Sequence, residues 1–323
     1  MLPLHPFRPG GPSRPPQHAP PEAAFLERAA AEYLEGETEV TAPTTTDTTV
    51  APSVPPTEPK ARFSDLFAAE WIKLWSLRST LWAFAATAAL VLTSTSANAR
   101  GDARQYAQHS EEQRALFRTL GLVPDSFPHG SATMLMLGAG AIGAITVLGE
   151  YTTGMIRTTF TAVPARSAVM AAKAAVVTVA TMLFGAVAAL LSYGAAQAVL
   201  SGQGIAVGLG HTGIPRLLVA SALLAPVSAL VGMAVAALVR HSVITIVVTT
   251  ALLFVLPTLL NDRSHLTASL LHMTVLQAWS RIGDGQAATE QWPWTAGGAG
   301  IVLALWSLVA ATLTVFSTNH RDQ

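Results

Sequence analysis

The chain divides into a polar, proline-rich beginning and a long series of apolar runs that starts near residue 79. A helix needs about 20 apolar residues to cross a bilayer. Six runs approach or exceed that length, and charged residues lie almost entirely in the gaps between them. The predicted spans are 80–97, 131–149, 172–200, 216–239, 242–260 and 295–317. The pattern therefore predicts an all-α integral membrane protein with six transmembrane helices, and it lacks the alternation of a membrane β-barrel.

Two of these runs depart from the simple pattern. Thr93-Ser94-Thr95-Ser96 makes the far end of the first run polar, so that run is the weakest of the six. The third run is longer than one crossing requires, and we expect its start to lie in the interface. Lys173 is then expected to extend its ammonium group outward to the headgroups.

Residues 1–60 hold thirteen of the twenty prolines and have no apolar period. Such a composition buries too little apolar surface to offset chain entropy. The sequence predicts a disordered Pro/Thr-rich tail that is not a signal peptide. Pro6–Pro9 and Pro12–Pro15 have PxxP spacing, which is consistent with either a docking peptide or a plain linker.

Residues 61–79 are predicted to form an amphipathic helix in the membrane interface, leading into the first span. Trp71 and Trp75 suit the headgroup layer, whereas Glu70 interrupts the apolar arc. The alternative is a frayed extension of the first span. The apolar arc consists of Phe63, Leu66, Phe67, Trp71, Leu74 and Leu77.

Composition narrows the function classes. Only 12% of residues are charged, about half the share of a soluble domain, which disfavours a soluble enzyme. The net charge is zero, which excludes a basic nucleic-acid binder, and the chain has no cysteine. Neither a GxxxxGK[ST] phosphate loop nor an HExxH metal motif occurs, so we predict no cofactor, no metal and no catalysis by this chain alone.

A GxGxxG pattern at Gly138, Gly140 and Gly143 lies inside an apolar run without a preceding strand. Small residues in that setting favour close packing of helices rather than binding of a dinucleotide. The middles of the predicted spans contain no ionisable residue, which argues against proton-coupled transport.

Six spans place both ends of the chain on one side of the membrane. Cationic residues close to the spans favour the cytoplasm for that side, according to the positive-inside rule. They are Lys73, Arg78, Arg157, Arg166 and Arg240.

Two connecting segments are longer than a bare turn. Residues 150–167 contain Met155, Ile156 and Phe160, which predict an exposed apolar docking surface for a soluble partner; a plain solvated loop is the alternative. Residues 261–294 carry leucines and tryptophans that predict an amphipathic or re-entrant helix. His265 and His272, two helical turns apart there, make a poor metal site without a carboxylate motif.

Three motifs resemble permease subunits of type-2 ABC transporters, especially single-chain permeases of actinomycete-like bacteria. The first is EWIKL at 70–74 followed by SLRST at 76–80, and the second is EYTTGMIRTT at 150–159 with VPAR at 163–166. The third is the charged ending NHRD at 319–322. The resemblance covers about residues 63–323.

The resemblance implies a permease domain over 80–323 that pairs with a second permease, as a homodimer or heterodimer, and with a separate ABC ATPase. It implies export of a drug-like, lipid or glycan substrate across a bacterial plasma membrane. The alternative is a non-transporting scaffold or sensor. The loop 150–166 would couple to the ATPase through polar Glu150, Arg157 and Arg166 and apolar Met155, Ile156 and Phe160, beside Tyr151. The implied interfacial residues are Glu70, Trp71, Lys73, Trp75 and Arg78.

Overall fold

Six helices in the computed structural model are long and apolar enough to cross a membrane, counted over the described residues. Those residues are 62–120, 126–155, 165–284 and 292–317, they contain no strand, and they all belong to the unit Lys60–Gln323. The tail 1–60 and the charged ending 319–322 lie outside them. The chain is therefore an all-helical, multi-pass membrane protein, as the pattern of apolar runs predicts.

The helices follow one another as spans and short connecting elements. In chain order they are α1 (Phe63–Ser76), α2 (Arg78–Gln108), α3 (Glu111–Leu120), α4 (His129–Thr153), α5 (Arg166–Ser201), α6 (Ile214–Val239), α7 (Ser242–Leu259), α8 (His265–His272), α9 (Val275–Asp284) and α10 (Ala296–Phe316). The spans are α2, α4, α5, α6, α7 and α10. Each overlaps one predicted run, and α7 contains a π-helical turn at Ala251–Val255.

The first span continues to Gln108, well beyond the predicted end at residue 97. One of the polar residues that weakened the prediction, Thr95, is buried and hydrogen-bonded inside the protein. The Thr95 hydroxyl lies 2.7 Å from that of Ser131 on α4 and is also hydrogen-bonded to Ser192 on α5. Polar side chains that bond between helices are compatible with a span.

The fourth span, α6, forms the centre of the bundle. Its most apolar stretch is 78% buried, against 17% for α7 and 22% for α10. A Cβ on Gly143 of α4 would overlap the Ala229 carbonyl oxygen of α6, and a Cβ on Gly232 of α6 would overlap the Gly140 carbonyl oxygen. The predicted close packing at the GxGxxG glycines is thus confirmed: α4 and α6 touch backbone to backbone.

Because the spans alternate in direction, their connections lie on alternate sides of the membrane. The helix α1, the α4–α5 connection and the α6–α7 connection share one side, called here the α1 side. The helices α3, α8 and α9 belong to the far side.

The segment between α7 and α10 folds back among the spans. Trp279 of α9 is fully buried and donates a hydrogen bond to Ser221 Oγ of α6, 3.1 Å away. Trp306, near the middle of α10, donates to the Met273 carbonyl oxygen at 2.8 Å. This far-side hairpin is helical, as predicted, and it reaches into the bundle.

Candidate functional site

The helix α1 packs on α5 through one face. Phe67, Trp71 and Leu74 contact Val176 and Ala180, and their spacing of three and four residues is that of a helical stripe. The same face carries the carboxylate that interrupts the apolar arc in the sequence. Position 70 therefore points into the protein, and its charge requires a partner there.

Four charged side chains meet where α1, α4 and α5 come together. Lys173 of α5 donates to Glu150 Oε1 of α4 at 2.8 Å and is also hydrogen-bonded to Glu70 Oε2 of α1. Lys73 of α1 donates to Glu150 Oε1 as well and lies 3.5 Å from Glu70 Oε1. Each ammonium group thus bridges both carboxylates. Glu70, Lys73, Glu150 and Lys173 are called here the charge cluster.

The charge cluster is neutral overall, and three of its four members are buried, whereas Lys73 is half-buried. Lys173 is 3% exposed, Glu150 5% and Glu70 7%. Moving an ion out of water costs several kcal/mol even after relaxation, and a buried pair offsets this only when its geometry is good. The cluster therefore adds little net stability, but any arrangement that separates its members is strongly disfavoured. It fixes the position of α1 against α4 and α5.

The pKa of Lys73 depends on both its burial and its ion pairs. Burial alone lowers the pKa of its ammonium group, but the hydrogen bond and negative charge of Glu150, with those of Glu70, outweigh it. The net result is a pKa above the ordinary value of 10.5. Lys73 therefore stays protonated at neutral pH, which keeps the cluster paired.

The charge cluster lies one helical turn from the start of the α4–α5 connection. The helix α4 continues from Glu150 to Thr153 and ends at Gly154, whose φ is +71°. Glycine is favoured at such a left-handed helix terminus because it has no Cβ. A cavity of about 60 Å³ adjoins the cluster and is also lined by Leu77, Thr153 and Met155.

A second contact joins the ends of two spans on the α1 side. The Arg240 guanidinium carbon, just beyond α6, lies 4.9 Å from the centre of the Tyr151 ring on α4. A cation over an aromatic face at this distance is attractive. The α1-side ends of α4, α5 and α6 are thus tied together beside the connection.

The residues expected in the coupling loop differ in their exposure to solvent. Met155 is 41% exposed, Tyr151 and Arg166 are half-buried, and Glu150 is buried. Ile156, Arg157 and Phe160 lie outside the described residues. On α1, Trp75 is exposed, Trp71 and Lys73 are half-buried, and Glu70 is buried, while Arg78, the first residue of α2, is exposed.

One expectation changes. Lys173 does not extend outward to the headgroups, because two carboxylates inside the protein hold its ammonium group. Glu150, expected among the polar coupling residues, is likewise buried and is paired with Lys73 and Lys173. Sequence reasoning missed the charge cluster, although Glu70 on an apolar arc and Lys173 in an apolar run are misplaced charges of opposite sign.

Among the described residues, no group of three or more histidine, aspartate or glutamate side chains is arranged to hold a metal ion. The charge cluster joins three helices, α1, α4 and α5, beside the α4–α5 connection.

A family model described as "ABC-2 family transporter protein" matches residues 66–256, from α1 into α7, which is more than half of the chain. A search of curated proteins finds no match.

Proposed function

This chain belongs to the ABC-2 family of transporter membrane proteins, and we propose that it is the permease subunit of an ATP-driven exporter, coupled to a separate ATPase through the loop 150–166. Its cargo is proposed to be drug-like, lipid or glycan. The subunit pairs with a second permease, either a copy of itself or a related chain.

The observation that carries the proposal is the position of the charge cluster at the base of this loop. A soluble ATPase can contact a permease only through surface elements. The conformational change that it drives must then be transmitted from those elements to the spans. Glu150 at the end of α4 and Lys173 near the start of α5 flank the loop and are ion-paired to each other. A displacement of the loop therefore moves both helices together.

The path continues from the loop into the bundle. Arg240 over the Tyr151 ring joins α4 to α6 on the α1 side, and the contacts at Gly143 and Gly232 join the same helices within the bundle. Packed interiors transmit displacement because they have little free volume. ATP-driven movement of the loop is thus expected to shift the central span. The binding of ATP to the ATPase then changes the equilibrium between two arrangements of the spans.

The proposed location is the bacterial plasma membrane, with the α1 side in the cytoplasm. Lys73, Arg78, Arg166 and Arg240 lie near span ends on that side, in agreement with the positive-inside rule. Both termini and the loop then face the compartment that contains ATP.

The test replaces the two central loop residues together, Ile156→Ala and Arg157→Ala. Cells expressing the permease with its ATPase are assayed for membrane insertion, for ATPase co-purification and for export. We expect normal insertion with loss of export and at least a tenfold drop in co-purified ATPase. The matched control is His211→Ala with Thr212→Ala in the far-side connection between α5 and α6.

Unchanged export together with unchanged co-purification would contradict the proposed coupling role of the loop. Stoichiometric ATPase without export of any tested cargo, in the unmodified complex, would instead favour the non-transporting scaffold or sensor.

A further inference from the structure

A second cavity, of about 270 Å³, lies on the far side, where α7 ends and the hairpin α8–α9 begins. It is separate from the charge cluster and belongs to none of the features that support coupling. Its lining residues are Leu260, Asn261, Asp262, Leu271, His272, Gln277 and Trp292.

Among the residues that the structure describes, the lining of this cavity carries one carboxylate and no lysine or arginine. Asp262 makes no ion pair within the part of the chain that the structure describes. The backbone N–H of the adjacent Arg263 donates a hydrogen bond to Asn261 Oδ1 at 3.2 Å. Among the described residues, the Arg263 guanidinium group forms no ion pair with Asp262. Asp262 is therefore a negative charge at the cavity that has no salt-bridge partner among the described residues.

Two aromatic side chains, His272 and Trp292, line the cavity together with Asp262. Trp292 is part of the lining and meets the His265 ring at 5.0 Å, nearly perpendicular to it. His272, also in the lining, stacks on Trp294 with ring centres 4.5 Å apart. A carboxylate beside exposed indole surface suits a poorly hydrated organic cation, because the ring face and the charge attract the same group.

Apolar surface continues from the cavity along the adjoining helices. Leu259, Leu266, Leu270 and Met273 are each more than half exposed, and all but Leu266 directly adjoin lining residues in sequence. A ligand with a cationic head therefore finds space for an apolar body beside the cavity.

We propose that this far-side cavity binds the cationic end of an amphiphilic organic amine. The inference rests on the proposed export function and deepens it, because it assigns a chemical class to the cargo. Asp262 supplies the opposite charge, Trp292 the aromatic face, and Gln277 and Asn261 supply amide oxygens for a head that carries N–H groups.

The test measures binding to the purified full-length chain in nonionic maltoside micelles at pH 8. The probes are benzyltrimethylammonium and p-toluenesulfonate, which have similar size and opposite charge. We expect saturable calorimetric binding of the cation and none of the anion. Asp262→Asn is expected to weaken cation binding at least tenfold, and Trp292→Leu at least threefold. The control, Glu112→Gln, removes another exposed far-side carboxylate and is expected to leave binding unchanged.

Equal binding of both probes, or an Asp262→Asn variant with unchanged cation affinity and a normal gel-filtration profile, would overturn the proposal. An equal loss in Glu112→Gln would do the same, because it would indicate general surface attraction. The assay needs no ATPase, so its failure leaves the coupling proposal standing. Failure of the loop variants to uncouple export leaves the cavity result standing.

Discussion

Single residues decide the electrostatics of the α1 side. Glu70, Lys73, Glu150 and Lys173 each occupy a position that an apolar side chain would fill in an ordinary membrane helix. Their mutual pairing makes the arrangement tolerable, so the loss of one member exposes the desolvation cost of the others.

We expect Lys173→Met to destabilise the protein by about 3–5 kcal/mol, the cost of an uncompensated buried charge. Two carboxylates would then share only Lys73. The double variant Lys173→Met with Glu150→Gln restores charge balance and should recover part of the loss, while Lys173→Arg keeps the charge. Thermal melting of the detergent-solubilised protein measures all three, and a double variant no more stable than the sum of its singles would contradict the pairing.

The pKa of Lys73 predicts a dependence of stability on alkaline pH. A pKa raised by folding means that the stabilising charge is fully present below 10.5, the ordinary value, and is lost as pH rises through the folded value. We expect the melting temperature to fall as pH rises above 10.5. Lys73→Arg, whose side chain stays charged there, is expected to reduce the fall, and an identical profile would argue against this origin.

The sequence indicates which residues are unusual at this scale but not how they combine. Glu70 is visible as a misfit on the apolar arc, yet its main partner is 103 positions further along the chain. A spacing of that length has no local periodicity to reveal it, because the contact depends on how α1 docks on α5.

Helices as units follow the apolar pattern closely. The six runs predict six spans because length and hydrophobicity alone determine whether a helix can cross a bilayer. The end of α2 is the exception. Polar residues in a sequence do not reveal whether another helix will satisfy them, and Thr95 is satisfied by Ser131 and Ser192.

The packing of α4 on α6 predicts a position-specific effect of added volume. Gly143→Ala is expected to cost about 1–3 kcal/mol, because overpacking forces backbone shifts and its Cβ would overlap the Ala229 carbonyl oxygen. Gly194→Ala on α5 is the matched control, since a Cβ there meets nothing within 4 Å. Thermal melting distinguishes them, and equal effects of both substitutions would contradict the backbone contact.

The orientation of the whole molecule in the membrane is easy to measure by cysteine labelling, because the sequence contains no cysteine. Every introduced cysteine is a unique reporter. We expect an impermeant maleimide to label Thr212→Cys in intact cells. Ser64→Cys on α1 should react only after the membrane is opened, because the α1 side is proposed to be cytoplasmic. The reverse pattern would invert the proposed orientation and remove the loop from the reach of a cytoplasmic ATPase.

The order in which the charge cluster is synthesised has a consequence for biogenesis. Glu70 and Lys73 leave the ribosome before the first span, whereas the lysine that pairs with Glu70 follows 103 residues later. At about 5–20 residues per second, that delay is about 5–20 s. During this interval α1 lacks α5, the helix on which its apolar face packs, and its charges remain hydrated at the bilayer surface. Insertion of the third span is therefore the event that seats α1, so a nascent chain truncated before residue 173 should leave that helix accessible to protease.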